Sequence, residues 1–155
     1  ILEMHMGRAP VEALHHSLQD LAVNNDTFTS LDVTILNVGN PQCAVFVPDF
    51  QLDWRSLGHQ IEFHREFPNR TNVSFVRVVS DNKIEVRIWE RGVGVTESSG
   101  TGATGAAAAS VARGLARSPV TVVTPSGPLS LRWEGEEIYL TGPAVVTTRG
   151  EYWFG

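Results

Sequence analysis

The chain has a single cysteine, Cys43, in 155 residues. No intrachain disulfide can form, which excludes a disulfide-stapled secreted scaffold and makes the cytosol the expected compartment. Basic residues are in deficit, 12 Lys and Arg against 17 Asp and Glu, for a net charge of -5 and a sequence pI of about 5.5. A surface of that sign repels phosphate backbones and anionic lipid, so small molecules or proteins are the expected partners, not nucleic acid or a membrane. No apolar run approaches the roughly 18 residues of a membrane span, and no charged segment leads into a short apolar one as in a signal peptide. An initiator methionine and a polar tail are also missing. The chain opens on Ile1-Leu2-Glu3-Met4-His5-Met6 and closes on Tyr152-Trp153-Phe154, which reads as a piece of something longer. What is present, 42% hydrophobic and 19% charged residues, suits one compact domain over 1–155 that needs neither disulfide nor metal to fold.

Local patterns predict many short strands and two helices. Runs rich in β-branched and aromatic residues between turn residues place strands at 1–6, 31–37, 43–47, 72–79, 83–89, 120–124, 129–133, 137–140, 144–148 and 151–154. Short turn stretches such as Ser80-Asp81-Asn82-Lys83, Pro125-Ser126-Gly127-Pro128 and Glu134-Gly135-Glu136 join several as hairpins, so the pairing is expected to be mostly antiparallel, without the strand-helix alternation of a parallel sheet. Residues 8–30, with His15-His16 and Asn24-Asn25-Asp26, read as a linker with at most one short helix.

A first helix is expected from about Asp53, as N-cap, to Arg65, stopped by Pro68. Trp54, Leu57, Ile61 and His64 fall on one stripe, with Arg55, Gln60 and Glu62 directed elsewhere. The second, about Thr101 to Gly114, has no charge between Gly100 and Ala112 and carries alanine on every face. A helix with no polar side must be buried all round, so strands are expected to wrap a thin central helix. Arg113 follows in the last turn, where a cation suits the helix dipole.

The densest chemical signal lies between Glu90 and Gly105. Gly100-x-Gly102-x-x-Gly105 matches a dinucleotide fingerprint in isolation, but roughly 20 residues on, where an acidic residue should follow a second strand, stand Thr124, Pro125 and Ser126. The more general reading is an anion site. Backbone N–H groups of Gly100, Thr101 and Gly102 at the start of a buried helix favour a carboxylate or phosphate. The blander alternative is that Ser99 is only an N-cap and the glycines only permit close packing. Glu90-Arg91 and the polar run Thr96-Glu97-Ser98-Ser99 beside a buried helix weigh toward a site. Cys43 opens the apolar run Cys-Ala-Val-Phe-Val and reads as a buried, inert thiol. The histidines lack metal-ligand spacing, and Ser99 lacks the Gly-x-Ser-x-Gly elbow of a serine hydrolase.

Five motifs together resemble the C-terminal half of the diaminopimelate epimerase family: Gly39-Asn40-Pro41-x-Cys43, Phe67-Pro68-Asn69-Arg70-Thr71-Asn72-Val73, Trp89-Glu90-Arg91-Gly92-x-Gly94, Gly100-Thr101-Gly102, and Leu140-Thr141-Gly142-Pro143-Ala144. Their order and spacing agree across nearly the whole chain. The resemblance implies an α+β lobe, a mostly antiparallel, mixed sheet around a central helix, forming the C-terminal lobe of a two-lobe protein. It further implies that residues 1–7 and 149–155 are strands that belong to or contact an N-terminal lobe, which with a small amino-acid substrate would be the partner. A homodimer is left open.

The activity implied is cofactor-independent, two-base epimerisation of LL-diaminopimelate to the meso form, in lysine and cell-wall biosynthesis in the cytoplasm. By resemblance Gly100 and Thr101 hold the α-carboxylate, and Asn40, Asn72 and Arg91 bind the far amino-acid end. Glu90 lies beside the reacting centre. The position of the lobe's catalytic base, a cysteine in the family, falls on Ser99, and Gln42 stands where the family usually has histidine. A serine hydroxyl is a far weaker acid than a thiol of pKa about 8.5, and the isolated lobe, with one base and half the cleft, is expected to be inactive. The alternatives are a proline or hydroxyproline epimerase or dehydratase, an isomerase of the phenazine-pathway type, or a non-catalytic amino-acid-binding module.

Overall fold

The structure, a computed structural model, describes residues 1–23, 26–28 and 30–155. Its strands are β1 (Leu2–Gly7), β2 (Val11–Leu18), β3 (Leu21–Val23), β4 (Asp26–Phe28), β5 (Leu31–Asn37), β6 (Pro41–Phe46), β7 (Asn72–Ser80), β8 (Lys83–Glu90), β9 (Gly94–Thr96), β10 (Val120–Thr124), β11 (Gly127–Glu134) and β12 (Glu137–Gly142). Helix α1 (Trp54–Glu62) lies between β6 and β7, and α2 (Gly100–Ala112) between β9 and β10. Among the described residues ten strands make one sheet in the order β1-β12-β11-β10-β8-β7-β6-β5-β2, with β9 paired to β8, while β3 and β4 form a separate ribbon.

The α+β class and the mixed sheet wrapped on an alanine-rich helix are as expected. Two neighbouring pairs are parallel, β6 with β7 and β8 with β10. A tight hairpin cannot join parallel neighbours, and the chain crosses from β6 to β7 through α1 and from the β8–β9 hairpin to β10 through α2. The sequence expectation of no strand-helix alternation therefore misses these two crossings.

α2 packs against strands from both ends of the sheet order, β2 and β5 as well as β11 and β12. Residues Gly102 to Ser110 are all buried. The middle of the sheet is buried on both faces. Leu36, Ala44, Val76, Ile84, Val86 and Ile88 pack with the alanines of α2, whereas Val33, Cys43, Val45, Val73 and Phe75 pack with Trp54, Leu57 and Ile61 of α1. Two-sided burial explains why β6 and β7 read as nearly continuous apolar runs instead of alternating ones.

Several local expectations are corrected. Residues 8–30 are not mainly a linker: β2 pairs antiparallel with β5, and Leu18, Leu21 and Val23 reach the core. The pattern was obscured because β2 ends the sheet order, is mostly exposed, and changes register twice against β5. Asn24 and Asn25 lie outside the described residues. α1 starts as expected, with Asp53 accepting a bond from Ser56 N, but it ends at Glu62, where His64 N turns back to Ile61 O at 3.1 Å, well before Pro68. Glu62, expected to point away from the buried stripe, is itself buried. The strands expected at 144–148 and 151–154 from the local pattern are not formed: beyond β12, whose two edges are taken by β11 and β1, the chain runs without regular structure. Among the described residues no helix is long and apolar enough to cross a membrane.

Candidate active site

Strands β6 and β7 begin, and β8 ends, at one end of the sheet. The register sets Gln42 opposite Asn72 and Val73 opposite Trp89. Helix α2 begins at the same end, seated by two close approaches. A Cβ on Gly102 would stand 3.0 Å from Ile88 Cδ1, and one on Gly105 would stand 3.1 Å from Gln42 Cγ. The glycine pattern that imitates a dinucleotide fingerprint thus seats the helix on β8 and β6.

Ser99 is the N-cap of α2, extended at φ -148°, ψ 126°, and its Oγ accepts a hydrogen bond from Gly102 N at 3.1 Å. The N–H groups of Gly100 and Thr101 have no partner among the described residues. No acidic residue occupies the first turn to neutralise them, so the mouth of the helix is a positive, donor-rich end. Thr104 Oγ1 donates to Gly100 O at 2.7 Å and tightens this turn.

Four of the residues singled out from the sequence meet in one polar line. Gln42 Nε2 donates to Asn40 Oδ1 at 2.9 Å, Asn40 Nδ2 donates to Thr101 Oγ1 at 3.3 Å, and Thr101 Oγ1 lies 3.5 Å from Ser99 Oγ. Gln42 is 2% exposed, and its Oε1 has no partner among the described residues.

Asn72, Glu90 and Arg91 form a second group at the neighbouring strand ends. The amide of Asn72 bridges two backbone groups, donating from Nδ2 to Pro41 O at 2.9 Å and accepting Arg91 N at Oδ1 at 2.8 Å. Arg91 Nη1 donates to Asn69 O at 3.1 Å, and Glu90 Oε2 accepts from Thr96 Oγ1 at 2.9 Å. Thr96 was visible in the sequence only as one more polar loop residue. Its place follows from β9 folding back on β8, which sets Thr96 beside Ile88 and Gly94 opposite Glu90.

Cys43 takes no part. It alternates with Gln42 and Ala44 along β6, so it faces the α1 layer while they face α2. Burial pushes its thiol far above the usual range, which keeps it protonated and unreactive. Among the described residues no cluster of three His, Cys, Asp or Glu could hold a metal.

Comparison with known proteins places this arrangement in a family. Residues 34–147 match the family model of diaminopimelate epimerase. The chain is 43% identical over 122 residues to a diaminopimelate epimerase of Heliobacterium modesticaldum, covering 77% of this chain and 43% of that protein. It is 40% identical over 126 residues to that of Acaryochloris marina, covering 79% and 44%. It therefore spans less than half the length of these relatives. Among solved structures, a probable proline racemase from Agrobacterium radiobacter K84 aligns with a TM-score of 0.64 at 17% identity, covering 93% of this chain and 53% of that one. A hydroxyproline epimerase from Agrobacterium vitis aligns at 0.62 and 15% identity, covering 89% and 48%. At those identities the likeness is one of fold. The match at sequence level takes in both helices, the strand ends and the helix mouth, and the chain belongs to the diaminopimelate epimerase family of amino-acid isomerases.

Proposed function

We propose that the chain is the C-terminal lobe of a cofactor-independent, two-base epimerase that converts LL-diaminopimelate to the meso form, a step of lysine and cell-wall biosynthesis in the cytoplasm. The observation that carries this reading is the meeting, at the mouth of α2, of the unpartnered N–H groups of Gly100 and Thr101 with Ser99 and the polar strand ends. Removing the α-proton of an amino acid sends negative charge toward its carboxylate. Two fixed N–H donors and the positive helix end bind that carboxylate more strongly as the charge develops, which lowers the barrier. They are pre-set by the seating of α2 and need not reorganise.

Ser99 stands at the base position of this lobe. Its Oγ spends one lone pair on Gly102 N and lies 3.5 Å from Thr101 Oγ1, which leaves either its hydrogen or its second lone pair for a ligand, depending on which hydroxyl donates. The helix end lowers the pKa of whatever group occupies this place, but a hydroxyl starts much higher than a thiol of about 8.5. Arg91, with Asn40 and Asn72, would take the far amino-acid group, and Glu90 would stand beside the reacting carbon. The second base belongs to the other lobe.

The test is α-hydrogen exchange into diaminopimelate in D2O by the full-length protein and its Ser99→Cys variant. Exchange by the native form, rising at least tenfold with cysteine, is the expected result. Binding of diaminopimelate by both forms without exchange in either would refute epimerisation. It would support a second reading, an amino-acid-binding lobe, which is favoured by the amide of Gln42 and the hydroxyl of Ser99 standing where proton carriers are needed. Exchange of proline or hydroxyproline in place of diaminopimelate would identify a paralogue of those epimerases.

A further inference from the structure

The turn bearing Glu90 and Arg91 is fastened from outside the sheet by a residue remote from the helix mouth. Glu62, the last residue of α1, is 2% exposed, and its carboxylate accepts three hydrogen bonds. Trp89 Nε1 donates to Oε2 at 2.8 Å, Gly92 N to Oε1 at 2.8 Å, and Arg70 Nη1 to Oε1 at 3.5 Å. Trp89 and Gly92 are the residues on either side of the Glu90-Arg91 pair. The indole reaches Glu62 along one face of α1, over Gly58 one turn earlier, where a Cβ would stand 2.8 Å from Trp89 Cβ. From the inner side, Asn72 Oδ1 holds the intervening N–H of Arg91. The turn is pinned at successive points from two layers of the fold. A buried carboxylate is costly unless its lone pairs are filled, and most of the donors filling these come from the turn itself.

We propose that Glu62 is a positioning residue for Arg91, setting how far the Arg91 guanidinium reaches toward the ligand while touching none of it, whereas the Glu90 carboxylate is held separately by Thr96. The anchor rests on the geometry alone. Its consequence for affinity rests on the proposed function, in which Arg91 binds the far end of diaminopimelate. Glu62→Gln keeps the size of the side chain but turns an amide NH2 toward one of the N–H donors.

Two measurements test it. In the full-length protein, well below the melting temperature of either form, Glu62→Gln should raise KM for diaminopimelate at least tenfold with kcat within threefold. In the 155-residue chain, amide hydrogen exchange should quicken at least thirtyfold at Arg91 and Gly92, with Val76 and Ala106 unchanged. Unchanged KM together with unchanged protection at Gly92 overturns the proposal. Uniform loss of protection across the core, with KM unaltered in the folded fraction, also overturns it, because Glu62 would then be only a stability residue. A local change at Arg91 and Gly92 in a protein whose wild type exchanges no diaminopimelate would support the anchor and refute the proposed function.

Discussion

Replacing Gly58 with alanine should destabilise this chain, although Gly58 sits in a helix where alanine is intrinsically better by about 0.8–1.0 kcal/mol. A steric clash outweighs that gain. A Cβ at position 58 would lie 2.8 Å from Trp89 Cβ and 2.9 Å from its Cγ, at the root of the side chain. The ring cannot swing aside, because its Nε1 is bound to Glu62 at 2.8 Å and Gly94 backs its far edge. Over-packing of this kind costs about 1–3 kcal/mol, and a contact at the root of a tethered indole belongs in the upper half of that range. The net loss is then about 1–2 kcal/mol, a fall in Tm of roughly 2–8 °C for a chain of this size. Urea unfolding followed by circular dichroism measures it directly. A midpoint equal to or above that of wild type would refute the packing argument and show that helix propensity prevails at this position.

Two further outcomes follow from burial and charge. Because burial raises the Cys43 pKa in the folded state, folding favours its protonated form. That contribution is complete below the unfolded value near ~8.5 and is lost as pH rises above it, with a limiting slope of about 1.4 kcal/mol per pH unit. The difference in stability between wild type and Cys43→Ala should therefore shrink from about pH 8.5 upward, and native Cys43 should resist a thiol reagent until the chain unfolds. At the end of α2, Arg113 Nε donates to Thr34 Oγ1 at 2.7 Å, its Nη1 lies 3.0 Å from Asp32, and its guanidinium stacks over Phe46. Arg113→Leu should cost about 1–2 kcal/mol, less than the 3–5 of a fully buried pair because Asp32 is half exposed. Burial alone would raise the Asp32 pKa, but His15 and Arg113 outweigh it and hold it below the usual range. Its contribution is accordingly present above the unfolded value near ~3.9 and lost as pH falls through the lower folded one. Urea midpoints from pH 3 to 7 check both; a variant as stable as wild type at pH 6 would contradict the assignment.

The strands at 31–37 and 120–124, both helices and the burial of α2 were legible in the sequence because each rests on a local pattern: β-branched runs between turn residues, an Asp53 cap before an apolar stripe, and alanine on every helical face. β2 was not, because an exposed strand at the end of the sheet order with two register shifts has little period-two signal to read. The chemistry of the site was likewise legible as residue types. Asn40, Gln42, Ser99 and Thr101 lie within 61 residues of one another, and only the docking of β6 against α2 makes them a hydrogen-bonded line.

Glu62 marks the boundary most sharply. From the sequence it is one more charged residue beside an apolar stripe, and nothing local distinguishes it from Arg55 or Gln60. Its burial is decided by Gly58 one turn earlier, which lets Trp89 lie on α1, and by a turn thirty residues away that offers its own N–H groups. The sequence by itself determined the types of most elements, the all-round burial of α2 and the absence of a disulfide within these 155 residues, because those depend on the composition and spacing of neighbouring residues. Which face Cys43 takes, which glycines seat the helix and which carboxylate holds the Glu90-Arg91 turn were decided only by the tertiary structure. Each depends on atoms brought together across the sheet, and no local periodicity encodes those distances.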